Sequence, residues 1–121
     1  MSWTYEVTTA KFYLNGEYQF TAEYAGAVNY KNDPKFECVK NKGPLPRGRY
    51  RIEPPTDIGS TGPYSLPLTP LNVATMCNRD SFRIHGDSIR DPGTASQGCI
   101  IANKKPRVKI WESGDRELIV R

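Results

Sequence analysis

His85 is the only histidine of this 121-residue chain, and one of its three cysteines, Cys99, follows with thirteen residues between them in the stretch FRIHGDSIRDPGTASQGCI. A thiol with an ordinary pKa of about 8.5 is barely ionised at neutral pH, but a neighbouring imidazolium and converging backbone N–H groups stabilise the thiolate. Cys99 then becomes a nucleophile toward a carbonyl, while His85 protonates the leaving amine and later deprotonates the acceptor that resolves the thioester. Gly98 permits a tight backbone in which the amides of Gln97, Gly98 and Cys99 converge on an oxyanion. Gly86 leaves room for substrate or for a main-chain carbonyl that orients the imidazole, and Ser96 is placed to hold ring or loop by hydrogen bonding. Asp87 shares the face of His85 on an extended chain without necessarily meeting the ring, so a main-chain carbonyl is the expected orienting group. The plainer reading is a strand-end histidine and a small buried cysteine.

The other cysteines support no metal centre. Three cysteines without a C-x-x-C pair, plus one histidine, cannot complete an ordinary zinc site. Cys38 and Cys77 either pair and leave Cys99 free or persist as buried thiols. No cofactor motif is present.

The elements that must position the pair read as short strands and turns, as ten prolines, ten glycines and seven tyrosines suggest. Trp3 to Val7 alternates as a strand. KFYLNGEYQFTAEY alternates on both sides of Asn15-Gly16, which predicts a hairpin with a type I′ turn and places Tyr18, Phe20, Ala22 and Tyr24 on one face. A long loop over 25–49 leads into a strand at Tyr50 to Glu53, and Ser81 to His85, Arg107 to Glu112 and Glu117 to Val120 read as further strands. PPTDIGSTGPYSLPLTP reads as a turn-rich binding lip. At most one short helix is expected between Cys99 and Pro106. The segment joining His85 to Cys99 is too long for a hairpin loop, and Asp91-Pro92-Gly93 would fold it back. The fold class is mainly β, a sandwich or barrel-like sheet pair, in a single domain over 1–121.

A formal charge of +4 without an arginine cluster or stacking-aromatic motif argues against nucleic acid and fits solubility or a weak preference for an anionic target. MSWTYEVTTAKF has no basic start followed by an apolar run, and no segment is apolar enough to span a bilayer. The expectation is a chain made in the cytoplasm without a leader and not inserted in membrane.

HG, a polar loop and SQGCI together resemble the histidine-glycine and serine-x-glycine-cysteine signature of the YkuD-type L,D-transpeptidases. GPLPRGRYRI resembles their proline-glycine strand entry and LNGEYQFTAEYAG their opening hairpin, so the resemblance covers most of the chain. The GPLPRGRY form is most similar to the compact L,D-transpeptidase-like effectors delivered by bacterial type VI secretion. The resemblance implies a YkuD-like fold and a Cys99 thioester formed from a peptidoglycan tetrapeptide stem, with release of D-alanine from meso-diaminopimelate. Water, a free D-amino acid or a second diaminopimelate amine would resolve it. It also implies action in the periplasm of a target cell and a cognate immunity protein. Two positions depart from the family pattern: Ile101 stands where an arginine is common, and Gln97 stands where a histidine precedes the motif glycine. Arg83 and Arg90 are candidate replacements for that charge, and Tyr64 is a candidate contact for glycan or stem peptide. The departures sustain an alternative, a non-catalytic wall-binding module with a degenerate site.

Overall fold

The computed structural model describes residues 2–57 and 62–121. Nine strands form one sheet: β1 (Trp3–Glu6), β2 (Lys11–Leu14), β3 (Glu17–Thr21), β4 (Tyr24–Ala25), β5 (Gly48–Ile52), β6 (Leu66–Pro70), β7 (Phe82–His85), β8 (Ile100–Ile101) and β9 (Glu117–Val120). Their spatial order is β3-β2-β1-β9-β5-β6-β7-β8-β4. The outermost strands, β3 and β4, are joined only by Ala22 and Glu23. Two residues span roughly 7 Å at full extension, so the sheet must roll until its edges nearly meet. The linker itself stitches the seam: Ala22 N–H donates to the Ala10 carbonyl, and Glu23 N–H to that of Ile101, both at 2.7 Å. The mainly β, barrel-like architecture expected is thus realised as one rolled sheet.

Inside the roll, Trp3, Tyr5, Phe12, Tyr50, Ile84 and Ile100 are fully buried in one apolar cluster. The hairpin β2–β3 turns at Asn15 and Gly16 with φ of +52° and +85°, the positive pair a type I′ turn requires. A one-residue bulge follows: Phe12 pairs with Phe20, but Tyr13 pairs with Tyr18. Because side chains alternate, that single extra residue sends Tyr18 outward while Phe20 stacks on Phe12 at 4.9 Å. Tyr18 thus leaves the face it was expected to share with Phe20, Ala22 and Tyr24.

Two further segments differ from expectation. Arg107 to Glu112 belongs to a helix, α1 (Lys104–Glu112), not to a strand. The alternation of Val108 and Ile110 imitates a strand, whereas the buried pair is Arg107 and Ile110, spaced by one helical turn. Pro106 does not stop this helix because it lies in the first turn, where its missing N–H has no intrahelical acceptor to lose. In the turn-rich stretch, Leu66–Pro70 is an interior strand, paired with both β5 and β7 despite its prolines. The tip of the anticipated lip, 58–61, lies outside the described residues.

Cys38 and Cys77 form a disulfide, and Cys99 is the free thiol. The bond closes a loop of sequence separation 39, so chain entropy sets its contribution at up to about 4 kcal/mol. Urea titration of a Cys38→Ser/Cys77→Ser variant is expected to show a loss on the order of 2–4 kcal/mol of unfolding free energy. An unchanged stability would mean that the bond constrains nothing in the unfolded chain.

Candidate active site

β7 and β8 run parallel, with Ile84 opposite Ile100 and His85 opposite Ile101. Alternation puts Ile84 and Ile100 into the core, so Arg83, His85 and Cys99 project from the other face. His85 and Cys99 line one cleft of about 500 Å³, together with Arg79, Ser81, Arg83 and Gln97. A wider recess of about 950 Å³ adjoins it, bounded by Asp87, Arg90, Lys104 and Arg107. His85, Thr94 and Ala95 belong to both walls, so the imidazole stands where the two meet.

His85 is buried, and its Nδ1 lies 2.8 Å from the Gly86 carbonyl, a contact that favours the tautomer with the proton on Nδ1 and Nε2 unprotonated. The expected orienting carbonyl is thus that of Gly86. Asp87 turns away from the ring. Its carboxylate accepts from Tyr24 Oη at 2.6 Å and from the amides of Ser88 and Gly93. Burial raises the Asp87 pKa, but these hydrogen bonds and Lys31 outweigh it and hold the carboxyl below its usual range. Tyr24 Oη also accepts the Ala95 amide at 2.9 Å, and its pKa is pushed up to about 12 by burial and by Asp87. Tyr24 and Asp87 therefore fold the long connection, a role the sequence did not reveal.

Ser96 acts on the loop, not on the imidazole. Its buried Oγ accepts the amides of Gly26 and Gly98 and donates to the Cys99 carbonyl at 2.7 Å. Gly98 N–H is thus engaged by Ser96 and is unavailable to an oxyanion. Glycine is needed here for conformation and space: φ is +138°, and a Cβ would lie 2.4 Å from Arg79 Nη2. The Cys99 sulfur instead faces the backbone N–H groups of Arg83 and Cys99, and its thiol donates to the Ser81 carbonyl at 3.8 Å. Gln97 is exposed on the cleft wall.

Arg79, which no motif marked, is the principal clamp. Its buried guanidinium donates through Nη1 to the carbonyls of Glu37 and Pro44, and through Nη2 to those of Gly43 and Gln97 at 2.9 and 3.1 Å. Leu45 N–H completes the tie by donating to the Gly98 carbonyl at 2.9 Å. Arg107, also buried, caps the carbonyls of Pro63 and Tyr64 and lies against Gly86. Tyr64 lines neither cleft; its ring packs against the core, so the expected substrate contact moves away from this residue. Arg90 is exposed in the second recess, whereas Arg83 lies beside Cys99.

Burial pushes the Cys99 thiol up, against the opposing pull of the Arg83 amide and the guanidinium groups of Arg83 and Arg79. Burial also pushes His85 down, reinforced by Arg107 and Arg83, although the Gly86 carbonyl opposes it. Burial thus disfavours the charged form of both groups.

Among the described residues, no helix is long and apolar enough to cross a membrane. No curated protein matches the chain. The fold is that of the L,D-transpeptidases: a structure of the L,D-transpeptidase LdtMt1 in complex with imipenem aligns with TM-score 0.56 at 16% identity over 99% of this chain and 58% of that one. Mycobacterium tuberculosis L,D-transpeptidase 1 gives 0.55 at 15% identity, over 99% of this chain and 60% of that one. The L,D-transpeptidase (Yku) from Stackebrandtia nassauensis gives 0.56 at 14% identity, over 99% and 54%. The chain thus spans little more than half of these proteins. The model of the Tlde1 domain matches residues 19–118, a span that contains His85, Cys99 and the whole connection between them, and the chain belongs to the Tlde1 domain family.

Proposed function

We propose that the protein is a peptidoglycan-modifying cysteine acyltransferase acting on tetrapeptide stems as an L,D-carboxypeptidase, an L,D-transpeptidase exchanging D-amino acids, or both. The observation that carries this reading is the single cleft that Cys99 and His85 both line, with a second recess adjoining it at the imidazole. Membership of the Tlde1 domain family and the L,D-transpeptidase fold support the substrate class.

In this mechanism His85 Nε2 removes the Cys99 proton as sulfur attacks the carbonyl of meso-diaminopimelate. The N–H groups of Cys99 and Arg83, with that of Gln97, supply the oxyanion donors, and Gly98 and Ser96 hold their geometry. The tetrahedral species collapses as His85-H⁺ gives its proton to the departing nitrogen, leaving a Cys99 thioester and free D-alanine. Water or an amine entering beside His85 then loses a proton to Nε2 and releases the acyl group, regenerating the thiol. No cofactor takes part.

Residues 1–121 act as one catalytic domain of an antibacterial effector, held in check in the producing cell by an immunity protein. The Cys38–Cys77 disulfide supports work in an oxidising compartment such as the periplasm. The alternative is a non-catalytic wall-binding module, favoured by Gln97 and Ile101.

Wild-type protein incubated with purified tetrapeptide muropeptides should release D-alanine by mass spectrometry, and Cys99→Ala or His85→Ala should lower kcat at least about 1,000-fold. Equal binding of cell wall by all three proteins without turnover would favour the module.

The lowered His85 pKa fixes the sign of the pH response. Activity rises as the imidazole loses its proton, so the acid limb of kcat/KM should fall below the ordinary histidine value of about 6.5. Alkylation of Cys99 by iodoacetamide should climb on the alkaline side of the ordinary thiol range, because burial keeps the thiol protonated. A rate that is already maximal at acid pH would reveal a preformed ion pair and contradict this assignment.

Arg79→Lys preserves the charge but cannot reach four carbonyls. It should cost on the order of 2–4 kcal/mol in urea unfolding and reduce D-alanine release. Wild-type stability in this variant would remove Arg79 from its role as clamp.

A further inference from the structure

Three cations, Lys40, Arg79 and Arg83, line the Cys99 cleft against one carboxylate, Asp80. Arg79 commits both of its terminal nitrogens to four main-chain carbonyls. Lys40 is exposed at the rim. Arg83 differs from both. Its side chain is partly buried on the same face as Cys99 and His85, and its one side-chain hydrogen bond among the described residues runs from Nη1 to the neutral Thr56 Oγ1 at 3.3 Å. None of the ion pairs among the described residues includes it. A guanidinium carries five N–H donors in a planar fork that matches a carboxylate, so most of its donors remain to be satisfied at the wall of the reaction cleft. A neutral peptide or glycan would leave that cation partly desolvated and unpaired, whereas a carboxylate would satisfy it.

The geometry points to Arg83 as a carboxylate-recognising residue that seats an anionic group of the acyl donor beside Cys99. The inference rests on the acyl-transfer reading above and adds its specificity: the preferred donor carries a free carboxylate within reach of the scissile carbonyl. A stem peptide offers two such groups, the carboxylate of the departing D-alanine and the side-chain carboxylate of diaminopimelate. Their chemistry toward a guanidinium is the same.

Alkylation tests the charge preference without any peptide substrate. Iodoacetate and iodoacetamide transfer similar groups to sulfur, but only the former carries a carboxylate. The ratio of their rates at Cys99, normalised to that for glutathione, should be above unity in wild type, fall about tenfold in Arg83→Gln and be partly restored in Arg83→Lys. Lys40→Gln should leave most of the ratio intact. Because the Arg83 guanidinium also favours the Cys99 thiolate, Arg83→Gln should slow both reagents through the thiolate population, a common factor that cancels in the ratio. Thermal melts establish that each variant folds, and should Arg83→Gln not fold, suppression of the wild-type ratio by added acetate provides the same reading.

Stem peptides amidated at the D-alanine carboxylate or at the diaminopimelate side chain then locate the group. The amidation that Arg83 senses should raise KM in wild type and have little further effect in Arg83→Gln. A normalised ratio near unity in wild type, one unchanged by Arg83→Gln, or one abolished by Lys40→Gln instead would overturn the inference. Absence of turnover on every stem peptide would refute the acyl-transfer reading and leave the alkylation ratio to decide Arg83 separately.

Discussion

The site depends on the parallel pairing of β7 with β8. Antiparallel neighbours can be closed by a two-residue turn, but parallel neighbours require the chain to travel back along the sheet before it re-enters. Residues 86–99 make that return, and the pairing of Ile84 with Ile100 delivers Cys99 to the face that already carries His85. The long connection is therefore the geometric cost of setting Cys99 and His85 on one face of adjacent parallel segments. Burial of Ile84 and Ile100 fixes the register, since a one-residue slip would turn the thiol into the core.

A connection of this length has many unpaired backbone groups, and the fold satisfies them with a few side chains drawn from distant parts of the sequence. Tyr24 reaches Asp87 across 63 positions, and Ser96 reaches Gly26 across 70. Arg79 joins the 37–44 loop to Gln97 through carbonyl dipoles alone. Burying a guanidinium is unfavourable unless its donors are met, and several oriented carbonyls meet them without cancelling the charge. That residual positive charge bears on the Cys99 sulfur, as does that of Arg83. The Cys38–Cys77 bond lies within two residues of Arg79 in sequence and tethers the same loop, so the clamp and the crosslink restrain one unit.

What the sequence disclosed were features written in local residue types. Asn15-Gly16 announced its turn because both positions need positive φ, and the alternation of Phe82 to His85 announced a strand with the histidine at its end. The histidine-glycine and serine-x-glycine-cysteine motifs pointed to the fold and family, to which the structure and the domain match agree. Helix α1 was misread because Val108 and Ile110 alternate as in a strand, while its buried contacts belong to Arg107 and Ile110. β6 was hidden by Pro67 and Pro70, residues that normally exclude an interior strand. Arg79 was illegible for a different reason: its partners are main-chain carbonyls, which leave no signature in residue identity. The outward turn of Tyr18 depends on a bulge at Gln19, and the alternating pattern gave no sign of the extra residue.

Burial disfavours the charged form of both groups, so in the proposed reaction charge develops as the thiol meets an acyl donor, and the Arg83 and Cys99 amides and the nearby guanidinium groups would stabilise the negative sulfur or oxygen. The most direct measurement is mass spectrometry of the protein quenched in acid during turnover of a tetrapeptide stem. The account predicts a thioester on the peptide containing Cys99, heavier by the mass of the stem less that of free D-alanine, and labile to hydroxylamine. Absence of that adduct under conditions where D-alanine is released, or its appearance on another residue, would contradict it.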